Sequence, residues 1–261
     1  MKKLIIIITL FTTLFVFAAC SDTGKAYRAY EKALDSYKNA SLVSMENKTF
    51  VTNETKNASG TNINEFYTEI NGLIDKTSDV QAVFTIPIFD DQNNEQGQIS
   101  MYHINGISYV RSTNDTDPPF RQGVSTEVID QMVLGMNLFF PREVIKRGSI
   151  YLEDDGQRIE LILHGEKAFR FMTKLSGSLE ETTIPDCYKL TAWVDEEGEL
   201  KKIHFLYDYM NNFNQNLGFY TKFNSDINVC FTLNEPVELN FPDLNDEDFP
   251  ILPERPPEAA Q

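Results

Sequence analysis

FYTKFNSDINVCFTL, Phe219 to Leu233, is the stretch that decides the fold. Phe219, Phe223, Ile227, Val229, Phe231 and Leu233 fall on one side of an extended chain, and Lys222, Asn224, Asp226 and Asn228 on the other. Side chains alternate across a strand, so this is a long strand with one apolar and one wet face, the pattern of an antiparallel sheet covered on one side. Working outward, Leu200 to Met210 repeats the pattern, with Ile203, Phe205, Tyr207 and Tyr209 on one face. An acidic turn, Asp195 to Gly198, precedes it, and Cys187 to Val194 reads as the strand before that turn. Asn211 to Asn216 reads as the next turn, which makes the C-terminal third a β-meander.

Farther upstream, Val80, Ala82, Phe84, Ile86 and Ile88 alternate without a break, and Pro87 places the end of that strand at an edge or bulge. Ile99 to Ile104 and Ile107 to Val110 flank Asn105-Gly106, a hairpin signal because both turn residues accept positive φ. Leu42 to Thr52 and Asn62 to Ile74 read as strands joined by a polar turn, Asn53 to Gly60. Asp115 to Val124, with Pro118-Pro119, reads as a loop, and Val128, Ile129, Met132, Val133 and Met136 mark a short helix. Pro141 starts another helical turn or two through Ile145. Ser149 to Glu153 and Gln157 to His164 form a hairpin around Asp154-Asp155-Gly156, followed by a short helix carrying Ala168, Phe171, Met172 and Leu175.

At the other end of the chain, Met1-Lys2-Lys3 is followed by the uncharged run Leu4 to Ala19. That run is shorter than the roughly 20 residues of a spanning helix and ends in small residues, which is the form of a cleaved export signal. Phe17-Ala18-Ala19-Cys20 resembles the lipobox of bacterial lipoproteins, although Phe17 stands where that motif usually has Leu. The resemblance implies a diacylglyceryl group on Cys20 and cleavage just before it, leaving the chain on the extracytoplasmic face of the cell membrane. Beyond the cysteine, Ala26, Tyr30, Ala33, Leu34 and Tyr37 space an amphipathic helix over 24–40, with Ser21, Asp22 and Thr23 as N-cap candidates.

Removing Lys2 and Lys3 with the signal takes the formal charge from −16 to −18. So acidic a chain makes a poor nucleic-acid partner, and its body is expected to stand off an anionic membrane. The 242 residues left after 19 are removed, with 19 Phe and 11 Tyr, suffice for one sizeable core, and a single domain is expected. With Cys20 assigned to lipid, Cys187 and Cys230 remain, and whether they are bridged is open because their separation is a matter of tertiary structure. From Asp246 the chain is acidic and rich in proline, an extended tail expected to be dispensable for stability, with Phe249, Ile251 and Leu252 as its only docking candidates.

The order of these elements resembles the LolA-like family of lipoproteins and lipoprotein carriers. The residues that carry the resemblance are Ala33 to Ser41 before the first strand, the Met101 to Val110 hairpin, Val194 to Gly198 with Leu200 to Ile203 after it, and Asn234 to Val237. The resemblance implies an α+β fold: a strongly curved antiparallel sheet, or half-barrel, with an N-terminal helix and short inserted helices on its concave face. It divides the chain into a signal at 1–19, a lipidated tether at 20–23, a half-barrel domain at 24–245 and a tail at 246–261. It also implies carriage of a lipid or another apolar ligand, with no catalytic motif and no cofactor beyond the covalent lipid. The residues themselves offer Phe84, Ile86, Phe205, Phe219, Phe223, Val229 and Phe231 as lining for such a ligand; the plainer reading of all seven is packed core.

Enzyme signatures are absent from the sequence: no Gly-x-Ser-x-Gly, no Walker loop, no Gly-rich dinucleotide turn, and none of His103, His164 and His204 in a His-Glu-x-x-His spacing. The acidic clusters Glu153 to Asp155, Asp195 to Glu197 and Asp243 to Asp248 lack EF-hand spacing, so no metal is assigned. Carboxylate pairing for glycoside hydrolysis is a three-dimensional relation and stays open at this point. Two functions are carried forward. One is a tethered, non-enzymatic binder or shuttle of lipid, and the other is an interaction or sensing module with a filled core.

Overall fold

The computed structural model describes residues 22–89, 95–113, 118–125, 129, 138–173, 182–214 and 217–251. The signal, Cys20, and most of the helix expected around Met132 lie outside them, although Ile129 is helical and buried. The elements are α1 (22–39), β1 (Leu42–Asn57), β2 (Gly60–Asp75), β3 (Gln81–Phe89), β4 (Glu95–Ile104), β5 (Ile107–Ser112) and β6 (Phe120–Gly123). They continue with a 3-10 turn at Arg142–Val144, β7 (Ile145–Glu153), β8 (Gly156–His164), α2 (Gly165–Thr173), β9 (Thr182–Thr183), β10 (Cys187–Val194), β11 (Leu200–Asn214) and β12 (Phe219–Leu233). The class is α+β, and the strands pair in the order β6-β5-β4-β3-β2-β1-β12-β11-β10-β8-β7, with antiparallel ladders. No described helix is long and apolar enough to cross a membrane.

Where composition suggests one domain, the chain divides into two compact units. The first holds Met1–Asn39, Thr49–Phe66 and Asn137–Cys230; the second holds Ala40–Lys48, Tyr67–Met136 and Phe231–Gln261. Strands β1, β2 and β12 contribute residues to both.

In the first unit, α1 buries the stripe that its spacing predicts: Ala26, Tyr30, Ala33, Leu34 and Tyr37 are all buried. The helix is pinned along its length. Thr23 Oγ1 accepts a hydrogen bond from the Gly148 backbone N–H at 3.2 Å, the Tyr30 hydroxyl donates to the Leu138 carbonyl, and Ser36 Oγ accepts from Leu200 N–H at 3.0 Å. Gly148 is required where Ala26 crosses β7, since a Cβ there would lie 2.8 Å from the Ala26 Cβ. Beneath the helix, Leu161 of β8 faces Leu190 of β10, which faces Phe205 of β11, which faces Ile227 of β12. All four are buried, giving a cross-strand apolar row.

The arms of β1 and β2 run longer than the sequence suggests: Asn53 to Asn57 and Gly60 are strand, and only Ala58 and Ser59 turn. Long-range partners hold the polar arm extended. Tyr220 donates to Glu54 at 2.6 Å, and Thr55 and Thr221 share a hydrogen bond at 3.4 Å. Likewise Asn211 to Asn214, expected as turn, prolongs β11 through its pairing with β12 and β9.

In the second unit, β3, β4 and β5 form the expected meander, and Asn105 and Gly106 take φ of 54° and 75°, as a two-residue hairpin turn requires. The loop expected over Asp115 to Val124 contains β6, which pairs with β5 from Ile107 to Val110. The described part of the tail, residues 246–251, is docked rather than free, while Leu252 lies outside the described residues. Phe249 is buried against Tyr109, with ring centroids 5.4 Å apart, and Arg121 N–H donates to the Pro250 carbonyl at 3.0 Å. Beyond the boundary expected at Asn245, Ile251 bridges to Arg121. Composition hid this because acids and prolines surround a single aromatic anchor.

His103 of β4 is buried beside Ser108, with Nδ1 2.9 Å from the hydroxyl, and burial holds its pKa below the usual histidine value. A histidine held neutral in the fold charges more readily when unfolded. Its contribution is therefore complete above the unfolded pKa, near 6.5, and is lost as pH falls below it. The melting temperature should drop between about pH 7 and pH 5, and His103→Gln should flatten that part of the profile. An unchanged slope in the variant would assign the pH dependence to other groups.

Candidate functional site

The first unit carries an aromatic wall on the apolar side of β11 and β12. Cross-strand register sets Phe205 opposite Ile227, Tyr207 opposite Ser225 and Tyr209 opposite Phe223, so period-two alternation brings all of them to one face. The rings touch in sequence. Phe205 stacks on Tyr207 at 5.7 Å, Tyr207 meets Phe223 at 5.5 Å, and Phe223 stacks on Tyr209 at 5.2 Å. Tyr188 of β10, Phe140 before the 3-10 turn, and Phe169 of α2 close on this row at 6.2 Å from Phe205, 5.7 Å from Phe205 and 5.1 Å from Tyr209. Offset and edge contacts of this kind contribute about 0.5–1.5 kcal/mol per pair beyond their area.

Exposure changes along the wall, and that gradient is what makes it a candidate site. Phe205, Phe140, Phe169 and Tyr188 are buried, whereas Tyr207, Tyr209, Phe219 and Phe223 are half-buried. The Tyr188 hydroxyl is satisfied by the Asp208 carbonyl at 2.8 Å. Burial, with Tyr209 nearby, pushes the Tyr207 phenol up to about 12 despite a hydrogen bond with Ser225, so the wall is uncharged at neutral pH. An uncharged, partly wet aromatic face takes up hydrocarbon or ring surface and offers no general acid or base. A recess of about 460 Å³ at the start of α2 is chemically different, because His164, Glu166, Lys167 and Asp186 line it.

Of the seven residues that the sequence offers as lining, Phe205, Phe219, Phe223 and Val229 belong to this unit. Phe205 and Val229 are packed core, and Phe219 and Phe223 are partly open. Phe84, Ile86 and Phe231 belong to the second unit. There Phe84 is wholly buried, and it lies so close to Gly72 that a Cβ on that glycine would be 2.8 Å from the ring. Sequence alternation already put Tyr207 and Tyr209 on the right face, and helical spacing marked Phe171, whose ring lies 5.5 Å from Phe140, while Phe140 and Phe169 come from outside the strands and no local signal marks them.

Cys187 and Cys230 are free and exposed. Trp193 pairs with Lys202, and Lys202 pairs with Cys230, so Cys187 lies six positions along β10 from the level of Cys230. That is roughly 20 Å, far beyond the reach of a disulfide. The bridge left open by the sequence is not formed. His204 Nε2 lies 2.9 Å from Asp226 Oδ1, which also accepts from Asn228, a hydrogen-bonded group on the polar side of the sheet.

No family model matches the sequence, and no curated protein matches it. Solved structures are similar over most of the chain. LprF from Mycobacterium bovis is 10% identical, with 85% of this chain and 98% of that chain covered at a TM-score of 0.45. The Mycobacterium tuberculosis lipoprotein LppX is 10% identical over 83% of this chain and 99% of that one, at 0.43. A putative outer membrane lipoprotein-sorting protein domain from Vibrio parahaemolyticus is 11% identical over 82% and 95%, at 0.25.

Proposed function

We propose that this chain is an extracytoplasmic lipoprotein, held to the outer face of the cell membrane by lipid on Cys20, whose first unit binds a lipid or another apolar ligand on its aromatic wall. The carrying observation is the passage from buried Phe205 to half-buried Tyr207, Phe223 and Tyr209 along one continuous ring-to-ring contact. A core closed on itself has no reason to leave its largest rings half wet. Covering about 200 Å² of such surface releases roughly 5 kcal/mol before the cost of immobilising the ligand, enough for reversible carriage. No catalytic role is assigned to any residue.

A second reading, a non-enzymatic interaction or sensing module with a filled core, is favoured by Phe84, Phe205 and Val229, none of which has exposed surface. Titration of the soluble chain starting at Ser21 with a fluorescent fatty acid separates the two. The parent should bind saturably. Phe223→Trp, at a half-buried ring, should weaken binding and cost little stability, whereas Phe84→Trp should overpack its site and cost about 1–3 kcal/mol in a denaturant melt with binding retained. Absence of saturable binding by the parent would overturn the carrier reading and leave the module.

A further inference from the structure

We infer that the first unit docks on anionic phospholipid headgroups through a basic patch beside its lipid tether. This rests on the anchor at Cys20 proposed above. Cys20 is three residues from Thr23, and three residues of extended chain span at most about 11 Å. Thr23 is itself buried and bonded to Gly148 of β7. The Arg142 guanidinium lies 5.9 Å from the centre of the Tyr27 ring, so residues 142–148 lie against the first two turns of α1. The chain beside the anchor is therefore known, although the anchor itself lies outside the described residues.

Residues 22–28 and 142–148 carry Lys25, Arg28, Arg142, Lys146 and Arg147, all exposed, against the acids Asp22 and Glu143, with Glu31 beside Tyr27 as a third. Five basic groups against three acidic ones is a local positive excess in a chain whose formal charge after loss of Lys2 and Lys3 is −18. At physiological ionic strength the screening length is about 8 Å, so a charged surface senses the groups close to the tether rather than the whole chain. The stand-off expected from net charge does not hold there. Strand β7 is also polarised along its length. Lys146 and Arg147 lie next to Gly148, and Glu153, Asp154 and Asp155 form its far tip. An anionic surface draws in the first end and repels the second, which selects one orientation of the tethered unit.

Lys146 is the extra residue of a bulge between Ile145 and Arg147, and a lysine at the edge of a sheet also discourages strand pairing. That role is indifferent to lipid charge, which gives the test. The processed full chain is reconstituted in vesicles of phosphatidylcholine alone or mixed with phosphatidylglycerol, and lysine exposure is read by a water-soluble amine reagent and mass spectrometry. Lys146 should be protected on the mixed vesicles and not on phosphatidylcholine, with Lys222 of β12 as an exposed reference. Arg147→Ala should weaken the protection about fivefold, the factor contributed by one adsorbed basic side chain. Equal labelling of Lys146 on both vesicles, with the protein floating on both, would overturn the docking and keep the anchor. Failure to float with either would overturn the anchor and the docking with it.

Discussion

Cutting the chain after Asn245 should lower its melting temperature by roughly 10 °C, and Phe249→Ala alone should account for most of that. Phe249 is a buried ring set edge-on against Tyr109, itself a buried residue of β5. Deleting a buried phenylalanine side chain costs about 3–5 kcal/mol, and at this chain length each kcal/mol moves the midpoint by about 2–4 °C. Other contacts go with it. The Arg121 N–H loses the Pro250 carbonyl, and the Tyr109 hydroxyl loses Asp246, 3.3 Å away. The ion pair of Arg121 with Asp246 holds that carboxyl below its usual range, but the carboxylate is exposed to solvent, so the pair adds little. A thermal melt of the two variants beside the parent decides the matter. A shift under about 2 °C would mean that Tyr109 finds other cover and that the tail merely rests on the unit.

Cys20→Ala should abolish membrane retention of the processed chain. Each buried methylene contributes about 0.8 kcal/mol, so two acyl chains hold with on the order of 10 kcal/mol each, and no basic patch on an acidic protein replaces that. No described helix could take over the anchoring. The variant should therefore appear either as an uncleaved precursor, still carrying Leu4 to Ala19, or as a released soluble chain. Fractionation with a gel that resolves precursor from processed protein separates these outcomes. A processed variant found in the membrane as before would remove the lipid assignment.

Strands β10 and β12 were legible to the residue, because unbroken alternation ended at turn residues on both sides. The outer arms of β1 and β2 were not, since Asn53 to Asn57 reads as a polar turn until Glu54 and Thr55 meet Tyr220 and Thr221, over a hundred and sixty residues away. Four-residue β6 has no period to read and exists through β5. The site divides in the same way. Alternation placed Phe205 and Phe223 on the right face, yet nothing in it separates a packed ring from a half-wet one, because that depends on what covers them. Phe140 and Phe169 reach the cluster by tertiary packing alone. The separation of Cys187 from Cys230 is a matter of ladder register, which no count of cysteines contains.

The lipid anchor proposed on Cys20 would confine many copies to one leaflet and raise their encounter frequency well above that of the same number free in three dimensions. Under such crowding an exposed ladder of backbone N–H and C=O groups would be a template for sideways assembly. In the second unit, Ile251 of the chain's own tail lies along β6 and takes up part of its hydrogen bonding. In the first, the bulge at Lys146 breaks the regular spacing of β7 and adds charge beside it. Each terminal strand is thus made a poor acceptor for a neighbour, a property that would matter most if the chain is tethered to a membrane as proposed.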